Sequence, residues 1–584
     1  MKQAWLVVIC ILNLVPLGSL AQMQDTVDVI IRSSRFDDAI VEEVSHPLSQ
    51  ESQGGKTLVQ NLGPGLLSTL RIQGLASRHT AIVWEGHNLQ SALNGTSDLN
   101  LLPPSNLAVS YQSLSHIRGG VGLGGGLLIQ NKVSERHVSL TGDSNRNSAI
   151  DIKHAFHNSN SVHSIQLNII NNDNKFRFIN NGEAAFREHA RLRGANIKSQ
   201  HIFTISDIPI KLSTWIQNYD REIGPSKTSV YNGAIQEDRN LRLSLEIGKR
   251  EKIQGTVAYL KEFIGFQEGS IDSRGGAHAM IAGLQWRGKK HHLISLYNRL
   301  DVSSTNFYER NHHRNLLDVS YRYKTEIASI GIIEGHLLQS FINDEIGPWS
   351  GLGRISKQFS YGLNLSIEID KSYQLPTFND LYWWDGGNPD LKTEQAHGYG
   401  LAAKYKNDKV ESKIAFLQKH VRNWINWLPL DVNSFTPINH RSVRATTISW
   451  EVDYHISDQV KFSGGFYNTR TIILEDDRFN NLIGKQAIYV PKYRGNLGLL
   501  FKPSSWSIYL DSHFRSKLYA SSDNTSSLPA RYIQNVSFSK EGVLKNNEIN
   551  ISLGVYNLFN IDYEEVAFFP MPLRYYKIDF KINY

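Results

Sequence analysis

The feature that most constrains this chain is a strict alternation of apolar and polar residues, which recurs in segments along most of its length. At the carboxy-terminus, residues 574–584 place aromatic and aliphatic side chains on one face and Lys, Asp and Asn on the other. The apolar face consists of Tyr576, Ile578, Phe580, Ile582 and Tyr584. A period of two is typical of a β-strand whose faces meet different surroundings, so the sequence predicts a terminal strand here.

Four further segments show the same alternation, and no helical pattern separates most of them. They cover residues 241–248, 363–370, 448–456 and 549–555. In a soluble β-sandwich the apolar faces would meet in a core, whereas in a large membrane barrel they would contact lipid and the polar faces would line a wet lumen. Alternation alone leaves both architectures open.

The amino-terminus favours export. Residues 1–21 combine a charged start at Lys2, an apolar run and a small-residue cleavage site, which together indicate a signal peptide and a mature chain beginning at Gln22. No later segment has the roughly 18 apolar residues that a spanning helix needs. The single cysteine, Cys10, lies in this leader, so we expect no disulfide and no thiol metal site in the mature chain.

The composition fits a bacterial outer-membrane barrel better than an enzyme or a nucleic-acid-binding protein. The 584 residues include 25 Tyr, 24 Phe and 11 Trp, which is rich in the amphipathic aromatics that form interfacial girdles. A net charge of +7 without a basic run that also carries aromatic residues indicates no nucleic-acid partner. No phosphate loop, nucleophile elbow or His-Glu-x-x-His motif is present. We therefore expect no catalytic residues, no cofactor and no metal.

The chain divides into two regions after the leader. Residues 22–132 are dense in turn residues, and residues 133–584 read as strand, turn and strand throughout. At roughly 20 residues per strand and connection, the second region holds about 22 strands, and a barrel of that size needs a plug. The predicted fold class is an all-β membrane protein: a large antiparallel transmembrane β-barrel with a small mixed α/β N-terminal plug in the lumen.

The order of motifs in the first region resembles the plug of TonB-dependent outer-membrane receptors. The matching pieces are 73–74, 80–86, 95–103, 117–120 and 124–129. Their motif residues are Gly74, Gly86, Asp98, Arg118, Gly119 and Gly125. In the barrel, 373–378 with 387–394 and then 556–563 resemble the family's barrel and carboxy-terminal signatures. The plug departs from the family at Gln73, where an arginine is usual.

The resemblance implies a transporter in the bacterial outer membrane that binds a scarce, bulky nutrient and passes it inward when TonB pulls on the plug. An extended, β-branched segment after the cleavage site resembles the TonB box and could add to a partner's sheet edge. It consists of Asp25, Thr26, Val27, Asp28, Val29 and Ile30. The implied partners are the TonB periplasmic domain with its inner-membrane energising complex, outer-membrane lipids, the barrel-assembly machinery and a small-molecule nutrient. A surface lipoprotein is a further candidate.

Ligand contacts are predicted on two aromatic-rich segments. Counting strands back from the terminus puts 382–389 and a loop at 422–443 outside the cell, and short turns at 407–408 and 457–458 in the periplasm. Planar aromatics give contact area at low entropic cost, and nearby polar groups orient a ligand. The candidates are Trp383, Trp384, Asn388, Trp424, Trp427, His440 and Arg441. The alternative is that the tryptophans belong to the interfacial girdle.

The substrate is inferred by analogy. Residues 83–86 and 95–99 are similar to plugs of the cobalamin-receptor group, and the chain leaves little room for long outer loops. The leading expectation is therefore a cobalamin-type corrinoid. The alternatives are a ferric siderophore or haem, and, in another class, a surface-binding or adhesive barrel that is not energised.

Overall fold

The computed structural model describes residues 43–44, 57–102, 107–112, 122–131, 135–249, 252–288, 292–384, 386–429 and 435–584. The predicted signal peptide, the TonB-box segment 25–30 and the motif residues Arg118 and Gly119 lie outside these ranges. The predicted domain boundary between residues 132 and 133 lies outside them as well.

The described residues before position 132 form a small mixed sheet and a hairpin. The strands are β1 (Glu43–Val44), β2 (Thr57–Asn61), β3 (Ser68–Ile72), β4 (Thr80–Trp84), β5 (His87–Asn88), β6 (Leu107–Gln112) and β7 (Gly125–Asn131). The sheet order is β1-β6-β7-β4-β5, in which only β4 and β7 run parallel, and β2 pairs with β3. Single 3-10 turns lie at Ser77–His79 and Leu99–Leu101. We call this region the plug.

The rest of the described chain is almost entirely strand. Its first half contains β8 (His137–Asp143), β9 (Asn147–Asn158), β10 (Ser161–Asn172), β11 (Arg177–Asn180), β12 (Glu183–Phe186), β13 (Leu192–Ile205), β14 (Ile208–Glu222), β15 (Ile235–Lys249), β16 (Ile253–Glu268), β17 (Ile271–Arg287), β18 (His292–Thr305), β19 (His312–Ile327), β20 (Gly331–Ile342) and β21 (Glu345–Gln358). Its second half contains β22 (Leu363–Gln374), β23 (Glu394–Lys406), β24 (Val410–Pro429), β25 (Phe435–Ser457), β26 (Val460–Asp476), β27 (Tyr493–Phe501), β28 (Trp506–Arg515), β29 (Leu518–Tyr519), β30 (Ser527–Leu528), β31 (Arg531–Leu544), β32 (Asn547–Tyr556), β33 (Glu564–Val566), β34 (Phe569–Pro570) and β35 (Tyr575–Asn583). A short helix, α1 (Phe378–Tyr382), and 3-10 turns at Ser360–Gly362 and Asn480–Leu482 interrupt them.

Twenty-two of these strands close into one antiparallel barrel, as the sequence predicts. The terminal strand β35 pairs with β32 on one side and with β8 on the other, so that Asn583 lies opposite His137 and the sheet has no free edge. The remaining strands β11, β12, β29, β30, β33 and β34 form small hairpins outside the barrel sheet. Closure satisfies the backbone groups that an open edge would leave unpaired in lipid.

The apolar faces predicted from the alternation point outward. On β22, Leu365, Ile367 and Ile369 are exposed, while Glu368 and Asp370 between them are buried toward the lumen. On β35, Tyr576 is 55% exposed and Ile578 50%. Because this outer surface is continuous around a closed barrel, it forms the lipid-facing band of a membrane protein, which excludes the sandwich alternative. Among the described residues, no helix has the length and hydropathy needed to cross a bilayer.

The two ends of the barrel differ. One end has tight turns, including 206–207, 407–409 and 458–459, and we call it the turn end. The other, the loop end, carries long connections, which are 173–191, 223–234, 375–393, 477–492, 516–530 and 557–574. The turns predicted at 407–408 and 457–458 are therefore confirmed.

The prediction of an outer loop at 422–443 is wrong over most of its length. Backbone pairing between β24 and β25 continues to Pro429 opposite Phe435, past a register shift between Val421 and Trp424. Trp424 and Ile425 are adjacent in sequence, so this stretch lacks the strict alternation of a lipid-facing strand although its backbone pairing continues. The segment is therefore an extended hairpin that projects from the loop end.

The plug packs its apolar sheet face against the inner barrel wall. Ile82, Trp84 and Ile129 are buried in one cluster with Trp215 of β14 and Ile281 of β17. The ring centroids of Trp84 and Trp215 lie 6.0 Å apart. This contact fixes the plug in the lumen and directs its turns toward the two ends of the barrel.

Candidate functional site

Plug turns reach the loop end and touch the barrel there. In the turn after β3, Gly74 has φ of +73°, and an added Cβ would lie 2.4 Å from Thr471 Oγ1. Thr471 Oγ1 donates a hydrogen bond of 3.0 Å to the Gly74 carbonyl oxygen. A glycine is required here because both the positive φ and the close approach exclude a side chain. Gly86 and Gly125, the other described motif glycines, also have positive φ values, at the turn after β4 and at the start of β7.

A buried ion-pair cluster joins the plug to the loop-end segment 375–393. We call Arg78, His79, Asp380 and Glu394 the latch cluster. Arg78 Nη2 lies 2.6 Å from Asp380 Oδ2, and Arg78 Nη1 donates to Asp380 Oδ1 at 3.3 Å. His79 Nε2 donates to Glu394 Oε1 at 3.1 Å, and both of these side chains are fully buried. The paired charges hold one turn of the plug directly under an outer segment.

The local sequence positions both carboxylates. Thr377 and Asp380 form a reciprocal capping box at the start of α1, in which the Thr377 N–H donates to Asp380 Oδ2 at 2.8 Å. Trp427 Nε1 adds a hydrogen bond of 2.9 Å to Asp380 Oδ1. Glu394 is the first residue of β23 and accepts a hydrogen bond of 2.9 Å from the Ile425 N–H. Residues from β23, α1 and the extended hairpin therefore converge on the same plug turn.

The charges of the latch cluster shift the pKa values of Asp380 and Arg78. Burial alone would raise the pKa of Asp380, but the Arg78 guanidinium and the hydrogen bonds from Arg78 and Thr377 outweigh it and hold that pKa below its usual range. Burial likewise opposes the charge on Arg78, yet Glu394 and Asp380 raise the pKa of this guanidinium above its ordinary value. The Arg78–Asp380 pair is therefore fully ionised at neutral pH.

A lowered carboxyl pKa predicts the acid response of the latch cluster. A carboxyl group whose folded pKa is lower than its unfolded value of about 4 adds stability above that value and loses it as the pH falls through the folded pKa. We expect the stability difference between wild type and Asp380→Asn to be constant from pH 8 to pH 5 and to shrink below about pH 4. Unboiled gel mobility after incubation over this pH range measures it. A difference that shrinks between pH 8 and pH 6 would contradict this assignment.

A second tie fixes the opposite side of the plug. Arg221 near the loop end of β14 lies between two carboxylates, with Nη1 2.6 Å from Asp98 Oδ2 and Nη2 2.7 Å from Asp238 Oδ2. Asp98 Oδ1 also accepts the backbone N–H groups of Ser68 and Asn100. The predicted motif residue Asp98 thus caps a plug turn and binds the wall at once.

A third tie lies near the turn end. Glu85, in the turn between β4 and β5, accepts a hydrogen bond of 2.9 Å from Gln200 Nε2 and pairs with Lys211. Lys211 also lies 3.2 Å from Glu246. The plug is therefore held by buried or half-buried charges at both ends of the lumen.

A cavity of about 520 Å³ opens at the loop end beside the second tie. Its plug side is formed by Leu66 and Leu67, and its aromatic lining comes from the loop 223–234, the top of β16 and the segment 557–574. The aromatic residues are Tyr231, Phe266, Phe568 and Phe569. Pockets of this size with an apolar lining and a few polar groups are typical of small-molecule sites.

The charge of this cavity is low. Arg221 contributes to its wall, but this guanidinium is neutralised by Asp98 and Asp238. Glu268 is an acidic lining residue. Amide and hydroxyl groups supply the remaining polarity, from Ser226, Ser229, Asn232 and Gln236. The cavity therefore offers aromatic contact and hydrogen bonds rather than a field that attracts anions.

The structure places most of the predicted ligand contacts around the latch cluster, away from this cavity. Trp424 packs edge-on against His79, with ring centroids 4.6 Å apart, and Trp427 bonds to Asp380 as described above. Trp383 stacks on Phe307 at 4.7 Å beside the buried plug residue Leu93. These tryptophans therefore pack within the protein.

The remaining predicted contacts are more varied. Asn388 Nδ2 donates to the Pro437 carbonyl oxygen at 3.0 Å, and Arg441 Nε donates to Asp476 Oδ2 at 2.8 Å. Trp384 is 61% exposed at the loop end. The side chain of His440 lies outside the described residues.

Sequence reasoning missed Arg78, His79, Asp380 and Arg221. No local pattern marks them, since a single Arg or Asp in a turn is usually solvated. One signal was available for Asp380, because Thr377 and Asp380 have the spacing of a capping box. That signal predicts a helix start and gives no information on a partner in the plug.

Comparison with known proteins decides the family. A family model described as "TonB dependent receptor-like, beta-barrel" matches residues 134–558. The chain belongs to the TonB-dependent receptor family. These receptors sit in the bacterial outer membrane, and neither the family nor the fold is that of an enzyme. The loop end of this receptor is therefore its extracellular end.

Two curated relatives are vitamin B12 transporters named BtuB. The chain is 23% identical to the one from Photobacterium profundum over 207 residues, which are 34% of the chain and 32% of the relative. It is 21% identical to the one from Vibrio vulnificus over 442 residues, which are 66% of the chain and 65% of the relative. The matches thus span about a third and just under two thirds of these transporters.

Solved structures of the same fold include transporters named for copper and for iron. The copper transporter OprC superposes with a TM-score of 0.75 at 13% identity, covering 91% of this chain and 96% of that one. The FrpB iron transporter from Neisseria meningitidis gives 0.75 at 12% identity, covering 92% and 96%. At these identities the likeness establishes the receptor fold alone.

Proposed function

We propose that this receptor imports a cobalamin-type corrinoid across the outer membrane and that TonB supplies the energy. The observation that carries the proposal is the extracellular cavity. Its aromatic walls suit the flat faces of a corrin ring, and its hydroxyl and amide groups suit the amide side chains at the ring's edge. The similarity to two vitamin B12 transporters supports the same ligand class.

The charge of the cavity argues against the main alternative. A ferric siderophore complex with several negative charges would need unpaired cations, which form strong charge-assisted bonds to anionic oxygens. Arg221 is occupied by two carboxylates, and Glu268 would repel an anion. Haem, with two carboxylates and an iron that takes an axial ligand, finds no histidine among the described lining residues, since His189 stacks on Tyr231 without lining the cavity.

Direct binding tests this assignment. The purified mature protein in detergent is titrated with cyanocobalamin, with haemin and with a ferric catecholate siderophore. We expect saturable binding of cyanocobalamin at concentrations where the other two do not bind. Binding of the siderophore or haemin in place of cyanocobalamin would keep the receptor assignment and overturn the substrate.

Aromatic truncation identifies the cavity as the site. Tyr231→Ala or Phe568→Ala removes a large contact surface, and we expect each variant to bind cyanocobalamin about tenfold more weakly, which corresponds to about 1.4 kcal/mol. Phe479→Ala is the matched control, because Phe479 is an exposed aromatic of another extracellular segment and lies outside the cavity lining. Equal affinities for all three variants would place the ligand elsewhere.

A further inference from the structure

The lipid-facing surface of strands β22 to β25 carries a row of basic side chains near the extracellular end. Lys371 on β22 lies opposite His397 on β23, His397 lies opposite His420 on β24, and His420 lies opposite Arg444 on β25. Residues directly opposite each other on one face are close neighbours. Four adjacent strands therefore present one continuous basic row.

Two more arginines widen the row. Arg422 pairs with Gln395 on the extracellular side of the row, and Arg470 on β26 pairs with Thr446 on the other side. Both guanidinium-bearing residues are exposed, as are His397 and Arg444. We call Lys371, His397, His420, Arg422, Arg444 and Arg470 the basic patch.

These side chains project outward and away from the latch cluster. The residues next to them on the same strands are buried and face the lumen side. These are Asp370, Ala396, Lys419, Val421, Ala445 and Thr471. Glu394, three residues before His397, belongs to the opposite, lumen-facing side of β23, where it meets His79. The basic patch is therefore separate from the plug and from the proposed ligand cavity.

The described residues place no carboxylate in direct contact with the Lys and Arg side chains of the basic patch. Within the described residues, no carboxylate oxygen lies within 4.0 Å of its Lys and Arg nitrogens, and the carboxylates close enough to influence its histidines are Asp370 for His397 and Glu475 for His420. Lys371 Nζ sits 4.0 Å from the ring centroid of Trp349, and His420 Nε2 shares a hydrogen bond of 2.7 Å with Ser442 Oγ.

Outward arginines elsewhere on the barrel behave differently. Arg239 on β15 lies 2.8 Å from Glu237, and Arg274 on β17 lies 3.0 Å from Asp272. Both occur at the extracellular end of their strands and carry their own counter-charge. The described residues supply no such counter-charge to the Lys and Arg side chains of the basic patch, which distinguishes this sector of the wall.

The basic patch lies at the edge of the apolar band. Four residues toward the periplasm, the outward residues on β23, β24 and β25 are Leu401, Phe416 and Ile448, in mutual register, and the layer between them and the basic row holds Tyr399, Gln418 and Thr446. Four residues of a strand span about 13 Å, so the basic row lies one layer beyond the apolar band, at the depth of the headgroups. Long basic side chains reach toward that layer while their stems stay in apolar surroundings.

We propose that the basic patch binds the phosphorylated headgroup of a lipid in the extracellular leaflet. Arginine and lysine donate charge-assisted hydrogen bonds to phosphate oxygens, and a basic cluster on a membrane protein at headgroup depth is the surface that anionic lipids recognise. The spacing over adjacent strands matches a headgroup with more than one phosphate better than a single free anion. The site is independent of the imported nutrient.

Lipid retention tests this site in the full-length mature protein. Detergent-solubilised protein is incubated with bisphosphorylated lipid A, or with lipid A from which both phosphates have been removed, and bound lipid is counted by native mass spectrometry. The test variant combines Lys371→Gln, Arg422→Gln, Arg444→Gln and Arg470→Gln. The matched control combines Arg239→Gln and Arg274→Gln, which removes outward arginines at the same end of the barrel.

We expect wild type and the control to retain the bisphosphorylated lipid and the fourfold variant to lose at least about tenfold in affinity, while dephosphorylated lipid A binds none of them. Retention by the fourfold variant, equal loss in the control or equal binding of the dephosphorylated lipid would overturn the proposal. Unboiled gel mobility confirms that each variant is folded. If the fourfold variant does not fold, Arg444→Gln should weaken retention and Arg444→Lys should preserve it, and equal retention by both would refute the site.

Discussion

Replacing Asp380 by alanine is expected to loosen the plug from the extracellular segment 375–393 and to destabilise the folded receptor by about 3–5 kcal/mol. The substitution leaves Arg78 without its closest counter-charge and leaves the Thr377 N–H and Trp427 Nε1 without their acceptor. Removing one member of a buried ion pair is costly because the other charge stays desolvated. The temperature at which unboiled gel mobility converts to the unfolded form measures the loss.

Asp523→Ala is the matched control for this experiment. Asp523 also lies in an extracellular segment, but among the described residues its carboxylate bonds only to Ser521 and Thr525 of the same loop. We expect Asp523→Ala to unfold at the same temperature as the wild type. A second readout is entry of a large polar antibiotic, which should increase in cells carrying Asp380→Ala if the plug moves. If the Asp380→Ala receptor unfolds at the same temperature as the control and admits no more antibiotic, the latch cluster does not hold the plug in place.

Deleting residues 25–30 is expected to abolish nutrient uptake while leaving surface binding unchanged. The plug is held at Arg78, Asp98 and Glu85, and these ties are charged and shielded from solvent. Spontaneous loss of several such ties at once is rare, and the outer membrane offers no nucleotide to drive it. A peptide handle that adds a strand to a partner sheet would supply the force from outside the barrel.

Radiolabelled cyanocobalamin separates the two steps. We expect the deletion to reduce accumulated label to the level of receptor-free cells, whereas label bound at the surface of energy-depleted cells should equal wild type. The control replaces residues 25–30 by the same residues in scrambled order, which keeps length and composition and should fail like the deletion. Uptake that survives the deletion would favour the non-energised surface-binding barrel, and loss of surface binding would mean that the deletion had damaged folding.

The sequence predicted the architecture well because membrane contact acts on every strand separately. Each alternating segment, such as 363–370, must put one face in lipid and the other toward water, so the barrel, its approximate strand number and its terminal strand could be read locally. The plug motifs indicated the TonB-dependent receptor family. The extended hairpin was missed because residues 422–429 lack a strict alternation, and tertiary contacts such as the packing of Trp424 against His79, rather than lipid contact, decide its pairing.

The alternation of residues by itself determined that each strand has one apolar and one polar face. Together with the predicted signal peptide and the plug motifs it predicted a lipid-facing barrel, since a single stripe of apolar residues on each strand fixes which side meets hydrocarbon. Only the tertiary structure decided which charges meet inside and outside it. Arg78 and Asp380 are 302 residues apart in sequence, and the row from Lys371 to Arg444 exists only through the register of four strands. Strand register and plug docking are long-range properties, and no local pattern encodes them.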